Sequence, residues 1–82
     1  MVLLEYSPHF SKKMQKVKDK LFQIKIQKQI GKIVSDPEIG KPMRYVRKGT
    51  REVYIAPFRL SYLYLPLEDK VVFVDLYHKD EQ

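Results

Sequence analysis

At Pro42 the apolar spacing of this chain changes from three-and-four to alternating, which confines the fold to helices first and strands after. Upstream, Phe10, Met14, Val17 and Leu21 recur at helical intervals, and Phe22, Ile26, Ile30, Ile33 and Val34 form a second stripe. Ser7 before Pro8 reads as an N-cap with proline at the first helical position, and Ser35-Asp36-Pro37 closes the second stripe. One straight helix across both stripes would run about 42 Å, too long for so small a domain. The spacing therefore predicts a two-helix hairpin that breaks near Asp19-Lys20, preceded by a short strand over Val2 to Tyr6.

Downstream, Gly40, Pro42, Gly49 and Pro57 divide the alternating stretch into short pieces. The predicted strands are Met43 to Arg47, Arg51 to Ile55, Phe58 to Leu65 and Lys70 to Tyr77. Lys48-Gly49-Thr50 and Pro66-Leu67-Glu68-Asp69 carry turn chemistry, which favours an antiparallel meander of four strands. Val71-Val72-Phe73-Val74 is apolar at consecutive positions, as expected of a central strand covered on both faces. The expectation is an α+β fold, in which a short N-terminal strand and a helical hairpin precede the meander in a single domain over residues 1–82.

The chain has no cysteine and two histidines, so neither a disulfide framework nor a thiolate or zinc site is expected, and no cofactor is implied. The apolar start of MVLLEYS is too short for a secretory leader, and no later run reaches the ~18 apolar residues of a membrane span. The expected compartment is the cytosol, away from any membrane. The formal net charge of +6 lies entirely in residues 1–35, where eight lysines face only Glu5 and Asp19, while residues 36–82 balance eight basic against eight acidic residues. A field so lopsided suits a polyanion or an acidic protein partner, and equally describes a solvated lysine-rich helix face.

Arg59 is the residue least explained by packing. It lies between Phe58 and Leu60 in a strand whose alternate members Phe58, Leu60, Tyr62 and Tyr64 face the core, so Arg59 and Ser61 point to the second face of the sheet. Two readings stay open: an ion pair with Glu52 or Asp75 across the sheet, or a phosphate clamp made by the planar guanidinium. Arg44, Arg47, Lys48 and Arg51 crowd the preceding hairpin beside Tyr45 and Tyr54, a mixture in which cations hold phosphates and rings stack on bases. The same charges would also protect an edge strand from pairing. Tyr77-His78-Lys79 leaves the expected central strand at the rim of the sheet, where a histidine can pass protons and a lysine can hold developing negative charge.

Three stretches then act together. Pro42-Met43-Arg44, the run from Glu52 to Tyr62 with its Phe58-Arg59-Leu60-Ser61-Tyr62 core, and Phe73 to Lys79 ending in His78-Lys79 stand in the order and separation of the RelE/ParE family of type II toxins, which nearly the whole chain resembles. The resemblance implies a toxin silenced by a cognate antitoxin, as a monomer or in a heterocomplex with it. RelE-like members cut messenger RNA on the ribosome, without a metal, by driving the substrate's 2′-hydroxyl onto the adjacent phosphate. By position, Arg59 matches the central phosphate-binding arginine, and His78 with Lys79 match the terminal basic pair, which makes these three the candidate catalytic residues. Arg44 matches a further basic contact, and Arg47, Lys48, Arg51 and Tyr54 complete the candidate RNA-binding set. The lysine-rich helices would lie against ribosomal RNA. Glu52 and Tyr54 stand where RelE proteins often carry basic residues, and the C-terminal tyrosine of some members has no counterpart before Gln82. These departures keep a second function in view: a ParE-like toxin that disables DNA gyrase by contact alone, or a family member that only binds a partner.

Overall fold

The computed structural model describes residues 2–44 and 49–81. Strand β1 (Leu3–Tyr6) leads into helix α1 (Pro8–Gln15) and helix α2 (Lys20–Ser35), followed by β2 (Lys41–Pro42), β3 (Thr50–Ile55), β4 (Phe58–Leu65) and β5 (Lys70–His78). The sheet order is β1-β5-β4-β3-β2. Strands β2 to β5 pair antiparallel as the turn chemistry predicts, and β1 joins parallel to β5, making a five-stranded mixed sheet.

Local chemistry sets the helix ends. Ser7 caps α1 by accepting from the Phe10 amide at 3.0 Å, while its own hydroxyl donates to the Val74 carbonyl at 2.9 Å, fastening the helix start to β5. Asp19 is the cap of α2, accepting from the amides of Leu21 and Phe22. The hairpin therefore breaks earlier than Asp19-Lys20, with α1 ending at Gln15. The break shifts the helical phase, and Leu21, expected on the core stripe of the first helix, is 71% exposed. The second stripe matches expectation: Ile26 and Ile33 are fully buried, with Phe22 and Ile30 packed against the core.

Phe10, Ile26, Ile33, Ile55, Leu60, Tyr62, Val71, Phe73 and Leu76 form that core between the helices and one face of the sheet. Removing these side chains from water, at about 25 cal/mol per Å² of apolar area, is what holds a chain with no disulfide together. Tyr62 places a hydroxyl in this core and satisfies it fully, donating to the Pro37 carbonyl at 2.8 Å and accepting from the Gly40 amide at 2.9 Å. Gly40 is required by that approach, because a Cβ there would lie 2.6 Å from the Tyr62 hydroxyl.

The strand expected over Met43 to Arg47 is instead Lys41–Pro42 within the described residues, with the Met43 amide donating to the Thr50 carbonyl and Arg44 outside any strand. Pro42 has no amide hydrogen for a further ladder, so it suits this short edge pairing with β3. The rest of that expected strand lies outside the described residues. Strand β5 is interior as expected, although β4 occupies the centre of the order. Its partners step from Ser61↔Asp75 to Tyr62↔Phe73, leaving Val74 as an extra residue, a β-bulge.

Candidate functional site

Alternation along β3 and β4 brings Glu52, Tyr54, Arg59 and Ser61 to the sheet face opposite the helices, in the registers Glu52↔Ser61 and Tyr54↔Arg59. The bulge at Val74 adds Tyr77 to the group. Val71 and Phe73 face the core; unbroken alternation would carry Tyr77 with them, and the extra residue turns it to the other face, opposite Arg59. There the Tyr77 hydroxyl donates a hydrogen bond to Glu52 Oε2. The second Glu52 oxygen, Oε1, lies 3.7 Å from Arg59 Nη1.

The Glu52 side chain is 2% exposed and the Arg59 side chain 35%, so the carboxylate lies beneath and the guanidinium reaches the surface. Arg59 Nε is itself buried without a hydrogen-bond partner among the described residues. The exposed Tyr54 ring lies beside the guanidinium, 5.8 Å from its carbon to the ring centroid. A cation held from below by a carboxylate, open above and flanked by an aromatic ring, can take a phosphate on its free side and a stacked base on the ring.

The other candidates are placed apart from this group. His78 is paired with Phe58, its ring edge-on to the Phe58 ring at 5.4 Å, on the helix side of the sheet. Its Nδ1 accepts from the Asp80 amide at 3.1 Å and lies 3.6 Å from the Asp80 carboxylate. The bulge that brings Tyr77 to Arg59 turns His78 away. Lys79 is exposed and begins a 3-10 turn, with its amide bonded to the Pro57 carbonyl. Arg51 also faces the helix side: its Nη1 donates to the carbonyls of Glu38 and Gly40, at 3.0 and 2.9 Å, and so clamps the α2–β2 connection. Arg44 is exposed just beyond β2, and Arg47 and Lys48 lie outside the described residues.

Of the two open readings of Arg59, the ion pair exists, with Glu52 as its carboxylate. Asp75 is engaged elsewhere, by Lys13 at 2.9 Å and His9 at 3.1 Å, both on α1. Tyr77 is the member of this network that sequence reasoning missed, because nothing in the run from Val71 to Tyr77 marks the bulge that aims it. Among the described residues, no group of three His, Cys, Asp or Glu side chains could hold a metal ion.

Comparisons with known proteins cover nearly the whole chain. The family model for the ParE toxin of the parDE type II toxin-antitoxin system matches residues 4–82. No curated protein sequence matches the chain. Among solved structures, the RelBE2 toxin-antitoxin complex of Mycobacterium tuberculosis is similar at a TM-score of 0.81 and 19% identity, covering 95% of this chain and 98% of that one. The intact RelBE toxin-antitoxin complex of E. coli aligns at a TM-score of 0.81 and 12% identity, over 95% and 96% of the two chains. YafQ of E. coli aligns at 0.74 and 20% identity, over 99% and 97%. At these identities the structural likeness establishes the fold: two helices on a five-stranded mixed sheet.

Proposed function

The chain belongs to the ParE toxin family of type II toxin-antitoxin systems, and from that premise we propose that it is a ribosome-dependent mRNA endoribonuclease that inhibits translation. The observation that carries this reading is the Arg59 guanidinium, held over buried Glu52 with one side open and the Tyr54 ring alongside. In the reaction the substrate's 2′-oxygen attacks the adjacent phosphorus and the 5′-oxygen leaves, giving a cyclic phosphate and a 5′-hydroxyl. Arg59 offsets the charge that builds on the phosphoryl oxygens, Lys79 adds a second cation, and Tyr54 holds a base by stacking. Arg44, Arg47 and Lys48 serve the RNA backbone. His78 faces the helix side of the sheet, away from the phosphate that Arg59 would hold, and is given no proton to carry. Its partner in the cell is an antitoxin, in keeping with the toxin-antitoxin complexes among the structural relatives.

Purified protein added to a translating extract tests the reading. Shortened messages with the parent and intact ones with Arg59→Ala are expected. Adding His78→Ala to the comparison checks its placement, since cutting should survive this change. Glu52 beneath Arg59 keeps a second reading in view, a gyrase-directed toxin that needs no proton carrier. Intact messages together with loss of DNA supercoiling by gyrase would select it.

A further inference from the structure

Arg59 stands in register between Tyr54 of β3 and Tyr77 of β5, and the two tyrosines differ in depth. Tyr54 is exposed, whereas Tyr77 is buried. A buried hydroxyl needs a hydrogen-bond partner, and that of Tyr77 finds one two strands away, across roughly 9–10 Å of sheet, in Glu52 Oε2. Phenylalanine would fill the same space without that demand, so the hydroxyl acts on Glu52 rather than on the packing.

The pair that Glu52 makes with Arg59 is correspondingly loose. Arginine and a carboxylate commonly close with two N–H groups on two oxygens, at about 2.7–2.9 Å. Here Nη1 lies 3.7 Å from Oε1, beyond hydrogen-bond range, and Nε is buried with no hydrogen-bond partner among the described residues. Oε2 is turned to Tyr77 instead. A carboxylate 2% exposed cannot turn to water, so an oxygen that lost the tyrosine would have to find a donor within reach, and Arg59 is the cation beside it. Closing on the guanidinium would occupy N–H groups that a phosphate needs.

We infer that Tyr77 is a positioning residue for Arg59: by holding Glu52 Oε2 it keeps the carboxylate from closing on the guanidinium, and so leaves Arg59 available to an anionic ligand. That the ligand is RNA rests on the function proposed above. The restraint on Glu52 does not, since it is a property of the three side chains alone.

Phenylglyoxal, which modifies accessible guanidinium groups, reads this directly when its rate at Arg59 is followed by peptide mass spectrometry on the full chain. Tyr77→Phe should slow the reaction at Arg59 by about tenfold, the size of one charge-assisted hydrogen bond. Adding Glu52→Gln to Tyr77→Phe should restore at least the parent's rate, a rescue that a merely structural tyrosine would not give. Arg51, held by two backbone carbonyls, should react alike in all variants and so reports an intact fold. An Arg59 rate unchanged by Tyr77→Phe, or slowed equally in the double variant, would overturn the inference. The parent supplies a second measurement that needs no variant to fold: by nitrogen NMR, the Arg59 guanidinium should rotate faster than that of Arg51, and a locked Arg59 would also overturn it. Oligouridylate binding separates the two readings. Tyr77→Phe should weaken it about tenfold, with the same rescue by Glu52→Gln. Binding unaffected by Arg59→Ala would remove RNA as the ligand, and the phenylglyoxal rates would still decide the role of Tyr77.

Discussion

Glu52 is the residue on which the site turns. Its carboxylate is buried, bonded to Tyr77 and close to a guanidinium that reaches solvent. A buried carboxylate is retained only where such partners offset its desolvation. Replacing it by glutamine leaves Arg59 uncompensated, at a cost of about 1–2 kcal/mol in urea denaturation. That is less than for a fully buried pair, because water screens the exposed guanidinium. The same change frees a cation for phosphate, and affinity for single-stranded RNA should rise by about tenfold, the size of one charge-assisted hydrogen bond. Unchanged affinity would mean that Arg59 does not meet the RNA. Tyr62 gives a second expectation at this scale. Burial pushes its hydroxyl pKa above the ordinary value of 10.0, against smaller lowering effects of the Gly40 amide and Arg51. The unfolded chain loses this proton first, so the stabilisation is present below about pH 10 and is lost as pH rises through the folded value. Tyr62→Phe should cost about 1–3 kcal/mol at neutral pH, and its denaturation midpoint should fall less steeply than the parent's in alkaline solution.

Among the elements, the boundary between α1 and α2 decides which apolar residues are core. In a continuous helix Leu21 would be buried and Asp19 would be an ordinary surface residue. With the break, Asp19→Ala should cost about 1 kcal/mol as a lost cap, while Leu21→Ala should change stability by less than about 0.5 kcal/mol. Thermal or urea unfolding of the two variants checks this, and the reverse ranking would restore the single helix. The periodicity made the existence of both helices legible, as it did β3, β4 and β5, since each buries a regular stripe. It could not show the phase shift at Asp19, because Leu21 fits the spacing of the first stripe as well as it fits an exposed turn. The bulge at Val74 was illegible for a related reason. All four residues from Val71 to Val74 are apolar, and an extra residue in such a run leaves no mark, yet it decides that Tyr77 and not His78 shares a face with Arg59. The Glu52 partner of Arg59 was legible, because strand alternation alone puts the two on one face of a hairpin.

Across the whole molecule, charge and chemistry are divided between two sides of one sheet. The helices carry the basic excess, and the opposite face carries Arg59 with Tyr54 and Glu52. No helix among the described residues is long and apolar enough to cross a membrane. If the Arg59 face meets RNA as proposed, binding to single-stranded RNA should depend on salt mainly through neutralised phosphates. Arg59→Ala should reduce the slope of log affinity against log salt by about 0.7 for each phosphate that the guanidinium neutralises. The most direct test of the central claim is primer extension on a defined message from cells expressing the parent or Arg59→Ala. Codon-phased cuts with the parent that vanish in Arg59→Ala are the predicted result. An uncut message, or cuts of equal strength in both, would contradict it.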